Sequence, residues 1–134
     1  MKVMVFGTFD ILHEGHLQML KEAKQLGDHL IVVVARDVTV KEVKGSQPLN
    51  NENIRIARLE ESSLPHTVRL GNQGDKHTVV SEEKPDIIAL GYDQRFFTEG
   101  LEKLGITIIR LKPYKPDIYK SSLLKNLKKA KGTT

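Results

Sequence analysis

The chain has 134 residues, the length of one ordinary domain, and its 39% hydrophobic and 28% charged residues give a globular balance that excludes a disordered chain. No apolar run approaches the ~20 residues needed to span a bilayer, and the absence of cysteine excludes disulfides and thiolate metal sites. The net charge of +4, from 21 basic and 17 acidic residues, suits an anionic partner, whether nucleic acid or a small phosphorylated molecule. With no export signal visible, the expected compartment is the cytoplasm.

Short β-rich apolar runs alternate with helical patterns. Lys2 to Phe6 is the first predicted strand, ending at a turn with Gly7, and a helix over about Gly15 to Leu26 follows, with Leu17, Leu20 and Ala23 on one face and Gly27 as its expected C-cap. His29 to Ala35 is a continuous apolar run of the kind buried on both faces of a sheet. A loop then carries Lys41, Lys44, Gly45 and Pro48 to a second helix, capped by Asn50 or Asn51 and running to about Glu61. Thr67 to Leu70 is a weak third strand. Val79 to Lys84 is a short helix stopped by Pro85, Asp86 to Leu90 a fourth strand ending at Gly91, and Gln94 to Leu104 a helix closed by Gly105. Ile106 to Leu111 is the fifth strand. The last helix starts near Ile118 and runs into a tail in which six lysines fall between Lys115 and Lys131, a pattern that reads first as a solvated surface.

Alternating β and α units with buried strands predict a parallel sheet covered by helices on both faces, the whole of 1–134 forming one domain with 115–134 as terminal helix and tail. In such sheets the ligand sits beyond the carboxyl ends of the strands. The segment after the first strand is Gly7-Thr8-Phe9-Asp10, then Ile11 and Leu12, then His13-Glu14-Gly15-His16. It joins a strand end to a helix N-terminus, where free backbone N–H groups and the helix dipole attract phosphate. Gly15 would let the chain turn tightly and a ligand approach the backbone. Two imidazoles there are placed to donate to phosphate oxygens as charge develops. The same pair also fits half a metal site or a plain helix cap; no third ligand at metal spacing follows.

These residues resemble the signature of the cytidylyltransferase-like superfamily of nucleotidyltransferases, and the likeness continues through Ala23 to Asp28 and Val34 to Asp37. The resemblance implies a Rossmann-like three-layer α/β/α fold with five parallel strands in the order 3-2-1-4-5. It implies transfer of a nucleoside monophosphate from a triphosphate to a phosphorylated acceptor. Gly7, Thr8, Phe9, His13, Gly15 and His16 would bind the nucleotide, His13 and His16 with catalytic roles shared by Lys41 and Lys44, while Asp10 would face the acceptor. Arg55-Ile56-Ala57-Arg58-Leu59-Glu60 resembles the family's Arg-x-x-x-Leu-Glu helix, whose arginine faces the acceptor.

Gly91-Tyr92-Asp93-Gln94 stands where glycerol-phosphate cytidylyltransferases tend to carry Gly-Asp-Asp-Trp, and looks instead like the archaeal FAD synthase branch. Gly91 and Asp93 would then read the base, with Tyr92 toward the acceptor. Lys120, Ser121 and Ser122 at the final helix start resemble a reduced form of the family's second signature, which binds the triphosphate. The 70–76 segment departs from the cytidylyltransferase pattern. The resemblance thus favours ATP and FMN as substrates, with CTP and glycerol 3-phosphate or another polyol or sugar phosphate as the alternative. A noncatalytic nucleotide- or nucleic-acid-binding protein is the rival from another class; no aromatic-rich RNA motif or helix-turn-helix supports it. Mg²⁺ is expected to arrive on the substrate phosphates, with no protein metal site, and a homodimer is the expected assembly.

Overall fold

The computed structural model describes residues 1–71, 77–91 and 105–111. In chain order these form β1 (Lys2–Gly7), α1 (Glu14–Gln25), β2 (His29–Val34), α2 (Asp37–Lys44), α3 (Glu52–Glu61), β3 (Thr67–Leu70), α4 (His77–Glu83), β4 (Ile87–Leu90) and β5 (Thr107–Arg110). The five strands make one sheet in the order β3-β2-β1-β4-β5, every pairing parallel, as expected. The expected helix over 94–104, the terminal helix from 118 with its tail, and residues 72–76 lie outside the described residues.

Alternation along the strands builds two core layers, because successive side chains of a strand point to opposite faces. Val3 and Val5 of β1, Leu30, Val32 and Val34 of β2, and Ile87 and Ala89 of β4 meet Leu20 and Ala23 of α1 and Leu59 of α3. On the other face Met4, Ile31, Val33, Ile88 and Leu90 meet Val79 and Val80 of α4. A strand sandwiched between helices needs apolar residues at every position, which is why β2 reads as an unbroken aliphatic run. The edge strands β3 and β5 have no fully buried residue.

Three local expectations are corrected. Residues 37–44 are not a loop but the helix α2, ended by Gly45 in the left-handed conformation at φ 80. Val38, Thr39, Val40 and Val43 had masked it, since β-branched side chains lower helix propensity. Gly27 is not a left-handed cap: α1 ends on Leu26 with ordinary helical backbone, its N–H reaching the Ala23 carbonyl. What Gly27 provides is room, because a Cβ there would collide with the Met1 carbonyl. Gly15 likewise lies inside α1 and turns nothing; the left-handed turn residue of that segment is Phe9.

The chain winds from β1 outward to β3, then returns past β1 to β4 and β5. This order reverses between β1 and β4, where Val5 lies opposite Ala89, so Gly7 and Gly91 follow two residues on at the same end of the sheet. A crevice at that reversal is where doubly wound sheets bind ligands.

Candidate active site

The site grows from the carboxyl end of β1. Beyond Gly7 the backbone reaches φ 54 at Phe9, a conformation that costs a non-glycine residue ~1–2 kcal/mol. The Phe9 ring folds back beneath the loop and is only 5% exposed. Glycine at position 7 admits it: a Cβ there would lie 2.7 Å from Cε2 and 2.9 Å from Cζ of the ring.

His13 is the N-cap of α1, with extended backbone and Nδ1 accepting the Gly15 N–H at 3.0 Å. Since Nδ1 accepts, the neutral ring carries its proton on Nε2 and presents a donor there. His16 lies one turn further along. Its ring stacks on that of His13, centroids 3.9 Å apart and planes at 22°. Phe9 also meets His16, in a T-shaped contact at 5.3 Å and 65°.

Electrostatics follow from this packing. Burial pushes His16 down to about 4, the adjacent His13 ring adds to the shift, and a hydrogen bond with the backbone at Ile11 pulls the other way. Burial also lowers His13. Both imidazoles are therefore neutral at pH 7. Two neutral donors at a helix N-terminus can follow the charge growing on a phosphoryl group, with no repulsion between stacked cations to overcome.

Asp10 and Arg55 are buried and bonded within the protein. Asp10 is 4% exposed, and its carboxylate accepts the N–H groups of Leu49 and Asn50, each at 2.8 Å. The Asn50 amide donates back to the Asp10 carbonyl at 2.6 Å. Arg55, which the motif places toward the acceptor, is 0% exposed in this structure. Its guanidinium donates to the carbonyls of Thr8 and Ala35, both at 2.8 Å, and of Asn50 at 3.0 Å, and pairs with Asp37 at 2.6 Å. One buried cation thus ties the segments after β1 and β2 to the starts of α2 and α3. Glu52 completes the joint by accepting the Asp37 N–H at 2.9 Å.

Lys41 and Lys44 are exposed on the last turn of α2, at the end remote from the strand. They stand on a different element from the histidine pair, which heads α1. Gly91 stands at the end of β4, its carbonyl accepting from Arg110 Nη1 at 2.8 Å. Arg36, absent from the sequence-based site, donates from Nε to the Gly71 carbonyl at 2.6 Å and so joins the ends of β2 and β3. Asp37, Asn50 and Glu52 were missed as well. For Asn50 and Glu52 the available signal was the capped start of α3; for Arg36 and Asp37 it was the acid at the head of an unrecognised α2. Tyr92, Asp93, Lys120, Ser121 and Ser122 lie outside the described residues.

A parallel sheet in the order 3-2-1-4-5, with a histidine pair heading the first helix at the point of reversal, is the architecture of a Rossmann-like nucleotidyltransferase. The cytidylyltransferase-like family model matches residues 4–123, and the chain belongs to that family. FAD synthase from Thermoplasma volcanium is 47% identical over 90% of this chain and 89% of its own length. FAD synthase from Pyrococcus horikoshii is 41% identical over 95% of this chain and 88% of its own. A lipopolysaccharide core biosynthesis protein from Thermoplasma volcanium, solved by crystallography, superposes with a TM-score of 0.77 at 48% identity, covering 85% of this chain and 98% of that one.

Proposed function

We propose that the protein is an FMN adenylyltransferase, forming FAD from ATP and FMN. An oxygen of the FMN phosphate attacks the α-phosphorus of ATP. A new bond to phosphorus forms as the bond to the bridging oxygen breaks, and pyrophosphate departs with the electron pair. The observation that carries this reading is the stacked, neutral His13–His16 pair at the head of α1. The relatives named FAD synthase supply the choice of substrates.

In this reading the chain contributes positioning and charge stabilisation, with no covalent intermediate. His13 and His16 donate to the transferred phosphoryl group, Gly15 allows close approach, and the backbone at Gly7 and Thr8 borders the triphosphate. Lys41 and Lys44 bring positive charge toward the phosphates along their flexible stems, and Lys120, Ser121 and Ser122 take the pyrophosphate portion. Gly91 and Asp93 read the base, and Tyr92 faces the flavin. Among the described residues no group of three or more His, Asp or Glu is placed to hold a metal ion, and both Asp10 oxygens already accept backbone N–H groups. Mg²⁺ is proposed to arrive on the triphosphate, where it would neutralise charge.

Among the described residues no helix is long and apolar enough to cross a membrane. A homodimer is the proposed assembly. Large exposed apolar side chains gather on α2, the first turn of α3 and the loop between them, at Val38, Val43, Leu49 and Ile54. Sedimentation at micromolar concentration reads it directly.

The test of function supplies ATP and Mg²⁺ with FMN and follows FAD and pyrophosphate by chromatography. CTP with glycerol 3-phosphate, and either nucleotide with sugar phosphates, run in parallel, because the solved relative bears a different name. FAD as the dominant product is expected. CDP-glycerol or a nucleotide sugar without FAD would replace the acceptor, and no pyrophosphate in any arm would overturn the enzyme reading itself.

A further inference from the structure

Phe9 has features that a simple core residue does not need. It takes up left-handed backbone at φ 54, where glycine would be unstrained. Its ring occupies space that exists only because residue 7 has no side chain. The ring contact it makes, with centroids 5.3 Å apart and planes at 65°, is with His16, on which the His13 ring stacks at 3.9 Å. His13 in turn is pinned by the Gly15 N–H. Three rings therefore form one contiguous cluster, bounded at the strand end by Gly7 and at the helix head by Gly15. An imidazole packed between two other rings has little freedom about χ1 or χ2.

We propose that Phe9 is the positioning residue of the histidine pair: its ring, admitted by Gly7, sets the plane of His16 against His13 and shields it in part from water, so that His16 offers a donor of fixed direction to the phosphoryl group. The proposal rests on the nucleotidyltransferase reading for its catalytic consequence, but the geometry it asserts can be read without turnover. The competing account makes Phe9 ordinary filling of the core layer that also holds Leu20 and Leu59. That account predicts lost stability and nothing more.

Two readouts separate them. The first is the titration of the His16 ring protons by NMR; the second is the pH profile of kcat for FAD formation. In Phe9→Leu, water gains access to His16, so its midpoint should climb from about 4 toward the ordinary 6.5. The acid limb of the kcat profile should move up with it, and kcat at pH 7.5 should fall roughly 10-fold or more while KM for ATP changes less. Gly7→Ala should act in the same direction, because the new methyl group drives the ring away from its place. The double variant Gly7→Ala/Phe9→Leu should be less than additive, since the smaller side chain relieves that clash. If Phe9→Leu does not fold, Phe9→Met keeps most of the apolar volume and is read in the same way. A folded variant with a lowered Tm, but an unmoved His16 titration and unmoved kcat, would overturn the proposal. Wild-type protein that titrates as described but makes no FAD would instead sink the functional reading and leave the positioning role in place.

Discussion

At the scale of residues, two stacked imidazoles owe their properties to their surroundings. His16→Ala should leave the fold intact and lower kcat roughly 10²-fold, the usual loss when one preorganised transition-state donor is removed. Near-normal turnover in a folded variant would take His16 out of the mechanism. The same burial makes a prediction for stability. The folded His16 binds its proton only near pH 4, whereas the unfolded chain binds it near 6.5. As pH falls the unfolded state is therefore protonated first and is stabilised relative to the folded one. The stability present above pH 6.5 is lost progressively between about 6.5 and about 4, up to roughly 3 kcal/mol. Urea unfolding of wild type and His16→Asn across that window should show the wild-type curve falling more steeply. Parallel curves would mean that the imidazole titrates normally in the folded protein.

At the scale of elements, Arg55 decides whether the separate strand and helix ends form one site. Its partners are the Thr8, Ala35 and Asn50 carbonyls and the Asp37 carboxylate, and no other side chain near them can replace five donors in a fixed fork. Arg55→Ala should cost about 3–5 kcal/mol, because it leaves these acceptors buried and without their cation. Arg55→Lys should recover only part of that, since an ammonium cannot span the same separations. A raised KM for FMN with a loss below about 1 kcal/mol would return Arg55 to the acceptor-binding role that the motif suggested. Asp10 works in the same joint, stapling the Leu49–Asn50 loop to the segment after β1. Asp10→Asn should loosen that loop by ~1–3 kcal/mol, again read from the urea midpoint at constant m.

At the scale of the whole molecule, a net charge of +4 and a helix head aimed at the sheet crevice make an anion the natural stabilising ligand. ATP at 100 times its Kd should add about 2.7 kcal/mol to the folded state, raising Tm in a thermal melt, with a smaller rise for CTP. Equal shifts from both nucleotides would place base selection outside ground-state binding.

The fold was legible because its signals are local and repeated. All five strands were placed to within a residue, since β1, β2 and β4 alternate or run apolar over their whole length. The signature around His13 and His16 was legible because a strand end, a turn and a helix head are contiguous in the chain. Other features needed three dimensions. The helical state of 37–44 was hidden because its β-branched residues oppose helix locally, while Val40 is rewarded only by tertiary burial. The motif marked Phe9 and Arg55 as important but could not say how. A ring folded into the space left by Gly7, and a guanidinium joining residues 20 and 47 positions away in the chain, exist only once the sheet has brought those segments together. The sequence by itself determined the family signature and the order of strands and helices that carries it. Only the tertiary structure decided which signature residues are buried and bonded within the protein and which stay partly open, because burial is a property of the folded whole.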